Sequence, residues 1–498
     1  MATFAPTTLS LLTRTSSKRV QSALATQCRS YSAPVDTIPA SKQRFIPNRE
    51  SSHIPKGFVL GSAHAGVKAS NKTKDDVCII ASEQLCSAAG YFTTNAFRAA
   101  PVSVSINSLK GNSQGIRGVV INSGCANAVT GNDGFDHAHA MASRVDELFS
   151  DTAQAESSIK PPGDKDASGK ETHQTLVMST GVIGQKLPIE KILGVLPQIK
   201  DSLATGYDAW LSTAKAIMTT DTFPKLVTRQ FTLPSHPDTT YTIAGISKGA
   251  GMIHPNLATL LSVICTDVKI SSRNLRWVGS LPISNSFNSI SIDGDTSTND
   301  SVVILANGAA APESAAAVTP ENVEDWEALR SVIQSVTTDL AQLVVRDGEG
   351  ATKFITIRVS GAETSQDASK VAETIARSPL VKTAMYGRDA NWGRILCAIG
   401  NSGVHVIRNR VTVAFGLGNP TKRESGHVHE DKMTLVKWGQ PQEVDEELAK
   451  EVLEKEDVSI YVKLDDRGGD PTNNKGRATY WTCDFSHEYV TINGDYRT

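Results

Sequence analysis

The 498-residue chain has no CxxC pair, and its seven cysteines (Cys28, Cys78, Cys86, Cys125, Cys265, Cys397 and Cys483) are scattered and odd in number. That argues against a disulfide framework and a cysteine-built zinc site, and suits a reducing compartment. An excess of charge is missing too: 50 Lys and Arg face 52 Asp and Glu, a formal net charge of −2. Without a basic field or an acidic tail, the chain does not read as a nucleic-acid binder. No apolar run approaches the roughly 20 residues that span a bilayer, and the mean hydropathy is −0.20. Ordinary numbers of glycine (37) and proline (21) exclude collagen-like and low-complexity classes. No GxxxxGK[ST] phosphate loop is present, and no internal repeat is visible.

One local absence is informative. Residues 1–35 contain no Asp or Glu but carry Arg14, Lys18, Arg19 and Arg29 among many Ser, Thr and Ala. This basic, hydroxyl-rich, acid-poor composition is that of a mitochondrial transit peptide. Arg29-Ser30-Tyr31-Ser32 resembles a matrix-peptidase site with cleavage after Tyr31, so residues 1–31 are set apart from the fold.

The rest is long enough for two or three domains or one large duplicated fold. Residues 45–135 read as short strands and loops, such as Gly118-Val119-Val120-Ile121-Asn122. Phe135–Leu148, Asp208–Thr219, Ala368–Ala376 and Val444–Leu453 read as helices. Trp326, Leu329, Val332, Ile333, Val336 and Leu340 fall on one helical face. Thr240–Ala244 reads as a strand, and Ile355, Ile357, Val359 and Ile460, Val462, Leu464 alternate as strands do. Ser157–Gln174, with Pro161-Pro162-Gly163, reads as a surface loop or insertion. Strands and helices mix without a βαβ rhythm, which predicts α+β.

Several motifs fail on their context. Gly245-Ile246-Ser247-Lys248-Gly249 fits GxSxG, but Gly249, Gly251 and Pro255 make a poor helix start, which a nucleophile elbow requires. Gly249-Ala250-Gly251 lacks the third glycine of a dinucleotide fingerprint. His137 and His139 are two apart, pointing to different sides of a helix, and read as surface or core histidines. The charge run Val444–Asp457 reads as a solvated helix face.

Lys248-Gly249-Ala250-Gly251-Met252-Ile253-His254-Pro255-Asn256-Leu257-Ala258-Thr259-Leu260-Leu261 is unusual. Its Gly and Pro content predicts irregular, closely packed backbone. It ends in Ala258-Thr259 and a mostly apolar run to Ile264. Residue types alone leave two readings. In one, Thr259 caps a buried helix. In the other, the Thr259 hydroxyl attacks a strained Ala258–Thr259 peptide, which passes through an ester and hydrolyses. Thr259 then becomes a new N-terminus whose α-amine, with an ordinary pKa of roughly 7.7–8.0, serves the nucleophile as its own base.

This segment resembles the cleavage motif of the ornithine acetyltransferases, the ArgJ family. Other segments resemble the family in order: Ile121-Asn122-Ser123-Gly124-Cys125-Ala126-Asn127, Ser179-Thr180-Gly181-Val182-Ile183-Gly184 and Met218-Thr219-Thr220-Asp221-Thr222-Phe223-Pro224-Lys225. Asp293–Asp300, Asp347–Lys353, Gly387–Arg394 and the terminal Ile492–Thr498 follow. The resemblance covers nearly everything after about residue 45. It implies an α+β fold of the DmpA/ArgJ type, self-cleaved into an α chain (residues 32–258) and a β chain (259–498).

The resemblance further implies a glutamate N-acetyltransferase moving acetyl from N²-acetylornithine to glutamate through an acetyl-Thr259 ester, in the mitochondrial matrix. Thr180 and Gly181 match the oxyanion-stabilising pair. Thr222, Lys248, Thr259, Glu349, Asn493 and Thr498 match substrate-contacting positions. Lys248 suits the substrate carboxylate and Glu349 the ornithine ammonium. Asp295, Asn299, Arg388 and His254 receive no role. No metal or cofactor is required; acetyl-CoA is a second donor in many members, and α2β2 assembly is usual. No membrane or nucleic-acid partner is expected. The rival readings are a self-processing amidase or aminopeptidase of the same fold and a non-catalytic matrix binding protein.

Overall fold

The computed structural model describes residues 37–150, 172–254, 260–417, 432–466 and 476–494. The transit-peptide segment 1–31, the cleavage pair Ala258 and Thr259, and Thr498 lie outside the described residues.

Fifteen strands are described: β1 Phe58–Ala63, β2 Val77–Phe92, β3 Ile116–Cys125, β4 Thr175–Val182, β5 Lys225–Leu233, β6 His236–Lys248, β7 Leu261–Thr266, β8 Ile290–Ser291, β9 Ser301–Ala306, β10 Phe354–Ala362, β11 Thr412–Leu417, β12 Lys432–Lys437, β13 Gln440–Pro441, β14 Asp457–Lys463 and β15 Gly476–Cys483. They form two mixed sheets. The first runs β4-β3-β2-β9-β7-β6-β5, with β1 on β2; the second runs β13-β12-β11-β14-β10-β15-β8. The expected α+β class is what the structure has.

The centre of the first sheet explains its apolar runs. In β9, Val302 and Ile304 face one hydrophobic cluster while Val303 and Leu305 face another. A strand covered on both faces has no polar side to alternate with. One of these clusters is roofed by the helix Val323–Arg346, whose side chains Trp326, Leu329, Ile333, Val336 and Leu340 are buried as their spacing predicts. Its N-terminus is capped by Asn322, which accepts from the Asp325 N–H. Full burial of Ile333, Val336 and Leu340 contributes about 1.5–3 kcal/mol each. The same cluster includes Phe354, Trp481 and Cys483 of the second sheet, so this helix packs between the two sheets. In β10, Ile355, Ile357 and Val359 face the helices Ser365–Arg377 and Glu446–Glu454 in a further core.

Three expectations are corrected. Residues 45–135 are not all short strands and loops: β2 is 16 residues long, and Ala100–Asn112 is a helix. Its Val102, Val104 and Ile106 alternate in strand fashion with Ser103 and Ser105, which hid a helix opened by Pro101 in its first turn. The polar stretch reaching Gln174 is not surface to its end, because Thr172, His173 and Gln174 are buried. There the Gln174 carbonyl accepts from the Arg117 N–H at 2.6 Å; residues 157–171 lie outside the described region. Finally, the apolar run after Thr259 is the strand β7, which removes the reading of Thr259 as a helix cap. A six-residue run buried on both faces suits a sheet centre better than a helix. Ser247 lies inside β6, fully buried, as rejection of the nucleophile elbow requires. His139 reaches His173 at 2.8 Å. No described helix is long and apolar enough to cross a membrane.

Candidate active site

The site forms where chain ends of the first sheet meet the last helix. β3 and β4 run parallel, and their register breaks at Gly124 and Cys125. Opposite the break, Gly181 takes a φ of +131°, and a Cβ there would fall 2.3 Å from the Gly124 carbonyl carbon. Only glycine fits. The residue before it, Thr180, therefore sits at a sharp change in chain direction.

Lys248 ends β6 and is 8% exposed. Its Nζ donates to Thr180 Oγ1 at 3.2 Å. Among the described residues no carboxylate lies within ion-pairing distance of it. Burial holds its ammonium below the ordinary lysine pKa, and Lys225 lowers it further, while Asp221, Glu349 and Asp300 work the other way. A Thr180 hydroxyl that accepts from an ammonium keeps its own proton to donate and is polarised to do so.

The backbone after Lys248 is pinned by carboxylates. Asp221 accepts from the Gly249 N–H at 2.7 Å. Asp293 accepts from the N–H groups of Met252 and Ile253 at 2.6 and 2.9 Å. Met252 holds a φ of +55°, a conformation rare for its residue type. On the far side of the undescribed residues 255–259, the Leu260 carbonyl accepts from the Ser301 N–H at 2.8 Å.

Glu349 approaches from the end of the long helix. It is 6% exposed, so it is no surface turn. Gly251 makes room for its carboxylate: a Cβ there would lie 2.4 Å from Glu349 Oε2. The terminal helix His487–Gly494 folds back so that Asn493 Nδ2 donates to Glu349 Oε2 at 2.7 Å. Burial raises the Glu349 pKa against the lowering hydrogen bonds from Thr220 and Asn493.

Thr180, Gly181, Lys248, Glu349 and Asn493 together line one cavity of about 250 Å³, whose wall also carries Ile253 and Leu260. Thr222 does not line it. Its N–H and hydroxyl instead donate to Asp347, below the wall. Its neighbours Thr219 and Thr220 line the cavity in its place. Sequence reasoning also missed Asp300 and gave Asn299 no role. Asn299 Nδ2 donates to the carbonyls of Ala126 and Ser179, at 2.6 and 2.9 Å, tying the Thr180 strand to the loop before β9. The clustering of hydroxyls and amides in 297–300 was the available signal, but it does not say which of them faces the cavity. Arg388 lies at the surface, 3.8 Å from Glu454. His254 Nε2 sits 3.1 Å from Glu373. Among the described residues, no three or more His, Cys, Asp or Glu side chains cluster as a metal site.

Among the described residues, the arrangement offers hydrogen-bond donors at Thr180, one cation without an ion-pair partner and buried carboxyl groups in a metabolite-sized space. That combination suits a small zwitterion and a reaction that develops negative charge on oxygen.

Comparison with known proteins gives this chemistry a context. A model of the ArgJ family matches residues 59–498. The mitochondrial arginine biosynthesis bifunctional protein ArgJ of Aspergillus terreus is 53% identical over 486 residues, covering 95% of this chain and 98% of that protein. Its namesake from Ajellomyces capsulatus is 52% identical, covering 95% of each. Among solved structures, the arginine biosynthesis bifunctional protein argJ of Bacillus halodurans is 38% identical, covers 46% of this chain and 95% of its own, and has a TM-score of 0.39. The ornithine acetyltransferase of Mycobacterium tuberculosis, complexed with ornithine, is 33% identical, covers 41% and 94%, and has a TM-score of 0.31.

Proposed function

The chain belongs to the ArgJ family, and from that premise we infer that it is a mitochondrial glutamate N-acetyltransferase of arginine biosynthesis. It takes acetyl from N²-acetylornithine, releases ornithine, and passes acetyl to glutamate. The observation that carries this reading is the convergence of Thr180, Gly181, Lys248, Glu349 and Asn493, far apart in sequence, on one cavity with Leu260 on its wall. Leu260 is the residue that follows Thr259.

In the proposed mechanism, the chain first cleaves itself between Ala258 and Thr259, leaving residues 32–258 and 259–498 as associated α and β chains. The Thr259 hydroxyl then attacks the acetyl carbonyl of N²-acetylornithine. Its proton passes through the Thr259 α-amine to the leaving nitrogen, the amide C–N bond breaks, and an ester C–O bond forms. Glutamate reverses the sequence: its α-amine attacks the ester and the proton returns to Thr259. Negative charge builds on the acetyl oxygen in both half-reactions, where the Thr180 hydroxyl and the Gly181 backbone act as donors. Lys248 holds the substrate carboxylate, and Glu349, steadied by Asn493, receives the ornithine ammonium. Thr222 supports this wall through Asp347, and Thr498 completes the site from the terminal segment. Residues 1–31 direct the chain to the matrix and are removed. Acetyl-CoA serves as a second donor, and two αβ units assemble as α2β2.

The test is the intact mass of the denatured protein beside a Thr259→Ala variant. Two fragments are expected, the second beginning at Thr259, and the substitution abolishes both cleavage and transfer. A folded but uncut wild-type chain would remove this mechanism and favour the binding-protein reading. Ping-pong kinetics between acetylornithine and glutamate are expected; acetyl release that ignores glutamate would point to an amidase instead.

A further inference from the structure

Two stretches of the chain carry cations but no acid. Residues 84–132 and 268–292 contain no Asp or Glu, although the whole chain has 52 acidic residues in 498. The fold brings these stretches together. The second half of β2 and the helix Ala100–Asn112 come from the first, and the helix Ser272–Ser284 comes from the second. Between them lies a groove of about 590 Å³ whose lining includes Arg98, Lys110, Arg273 and Arg276 and no carboxylate. Among the described residues, none of these four side chains forms an ion pair. Arginines elsewhere on the surface do: Arg44, Arg144, Arg229, Arg330 and Arg377 each reach a carboxylate. A chain of nearly balanced charge thus concentrates uncompensated positive charge in one concave place, where it attracts anions.

The backbone adds a second feature. Cys86 is the last residue of β2 paired with β3, and from Ser87 to Phe92 the strand pairs with β9 on one side only. On the β9 side the Thr93 N–H donates to the Asp300 carbonyl at 3.0 Å; on the open side the Ala88 N–H donates to the Ser113 carbonyl at 2.7 Å. Backbone groups alternate in direction along an antiparallel strand, so Gly90 and Phe92 turn their N–H and C=O to the open edge. Such an edge pairs with the amides of an extended ligand, and Tyr91, Phe92, Ile106 and Leu109 supply apolar wall. The groove also reaches the acetyl-transfer cavity: Thr93 lines it and donates through Oγ1 to the Ser297 carbonyl at 2.9 Å, while Ser297 lines the cavity. Guanidinium groups, an apolar wall and a free strand edge suit a ligand with phosphates and an aromatic base at one end and amides along its arm. We propose that this groove binds the donor acyl-CoA, its phosphates against Arg98, Lys110, Arg273 and Arg276 and its thioester end directed past Thr93 to the cavity. The proposal rests on the reading of that cavity as the acetyl-transfer site. There the Thr259 hydroxyl attacks the thioester carbonyl, the ester C–O bond forms as the C–S bond breaks, and the hydroxyl proton leaves on the CoA thiol.

The test compares wild type with a double variant, Arg273→Glu with Arg276→Glu. Both positions are exposed and neither lines the cavity. The melting temperature should therefore hold, and kcat and KM with acetylornithine as donor should stay within about twofold of wild type. With acetyl-CoA as donor, the double variant should raise the KM for acetyl-CoA about tenfold or more, the scale of losing charge-assisted hydrogen bonds to phosphate. Calorimetry with desulfo-CoA, which carries no acetyl, should show binding to wild type that weakens with salt and is lost in the double variant. ATP, which has phosphates and a base but no amide arm, should bind more weakly. Desulfo-CoA that fails to bind wild type, or binds both proteins equally, overturns the assignment. So does a KM for acetylornithine that rises as much as that for acetyl-CoA, and so does ATP bound as tightly as desulfo-CoA, which would make the groove a site for free nucleotide. If the double variant does not fold, Arg98→Glu is measured in the same way and decides. Wild type that transfers acetyl from neither donor would sink the functional reading of the cavity, and the desulfo-CoA measurement would still judge the groove.

Discussion

Two buried lysines on adjacent strands have opposite fates. Lys225 opens β5 and pairs in register with Ser247, the residue before Lys248 at the end of β6. The Nζ of Lys225 lies 2.6 Å from both Asp221 Oδ1 and Asp347 Oδ2, all three side chains fully buried. Burial alone would lower its pKa, but the two carboxylates reverse that and raise it. Lys248, almost as buried, has a hydroxyl at 3.2 Å and no ion-pair partner among the described residues, so burial wins and its pKa falls. The same residue type, one register position away, is in one case internally neutralised and in the other left with binding capacity facing a cavity. The first is a keystone of the fold, and the second is available to a ligand. Asp221 links them, since it also accepts from the Gly249 N–H and so fixes where Lys248 ends.

Lys225→Met should break the comparison hardest. It strands Asp221 and Asp347 as unpaired buried carboxylates, at a cost of about 3–5 kcal/mol, and the midpoint of urea unfolding should drop accordingly. An unchanged midpoint would show that the triad is not a keystone. Lys248→Met should do the reverse, leaving stability within about 1 kcal/mol of wild type because no carboxylate loses its partner. Its transfer rate should nevertheless fall by about 10²–10³, the scale of losing one preorganised charged donor. Full activity in a folded Lys248→Met protein would undo its assignment.

Acid separates the two lysines in a third way. Burial would raise Asp221, but Lys225, Lys248 and the Gly249 N–H outweigh it and hold its pKa at about 2, below the ordinary 3.8. A depressed carboxyl contributes stability that is complete above its unfolded value and is lost as pH falls through the folded one. The unfolding midpoint should therefore decline between about pH 4 and 2, and Asp221→Asn should flatten that decline. Asp347, which burial pushes the other way, does not contribute to this loss. An acid profile identical in Asp221→Asn would assign the decline to other groups. The smallest effect belongs to Asn493→Ala. It removes one bond to Glu349, worth about 1 kcal/mol, and should raise the KM for acetylornithine several-fold at unchanged melting temperature. A collapse of the fold instead would make the terminal helix structural.

Long periodic elements were legible in the sequence. The stripe Trp326–Leu340 marks its helix, and the alternation of Ile355, Ile357 and Val359 marks β10, because in each the large apolar residues recur at the element's own period. Legibility failed where both faces are buried or propensity is weak. β7 reads equally as helix or strand, since its apolar run carries no period, and Ala100–Asn112 is built from Val, Ile and Ser. The candidate site followed the same division. Ordered motifs located Thr180, Gly181, Lys248, Glu349 and Asn493, which the structure brings to one cavity. They put forward Thr222, where the fold turns Thr219 and Thr220 inward, and passed over Asp300.

By itself, the sequence determined the chemical inventory, its order along the chain and the local periods of the exposed-edged elements, because these depend on neighbours within a few residues. Only the tertiary structure decided which polar side chains face the cavity and which lysine is neutralised. Those outcomes depend on partners more than a hundred residues away, such as Asp347 for Lys225 and Asn493 for Glu349. They depend also on a burial that removes the water which would otherwise make Lys225 and Lys248 alike.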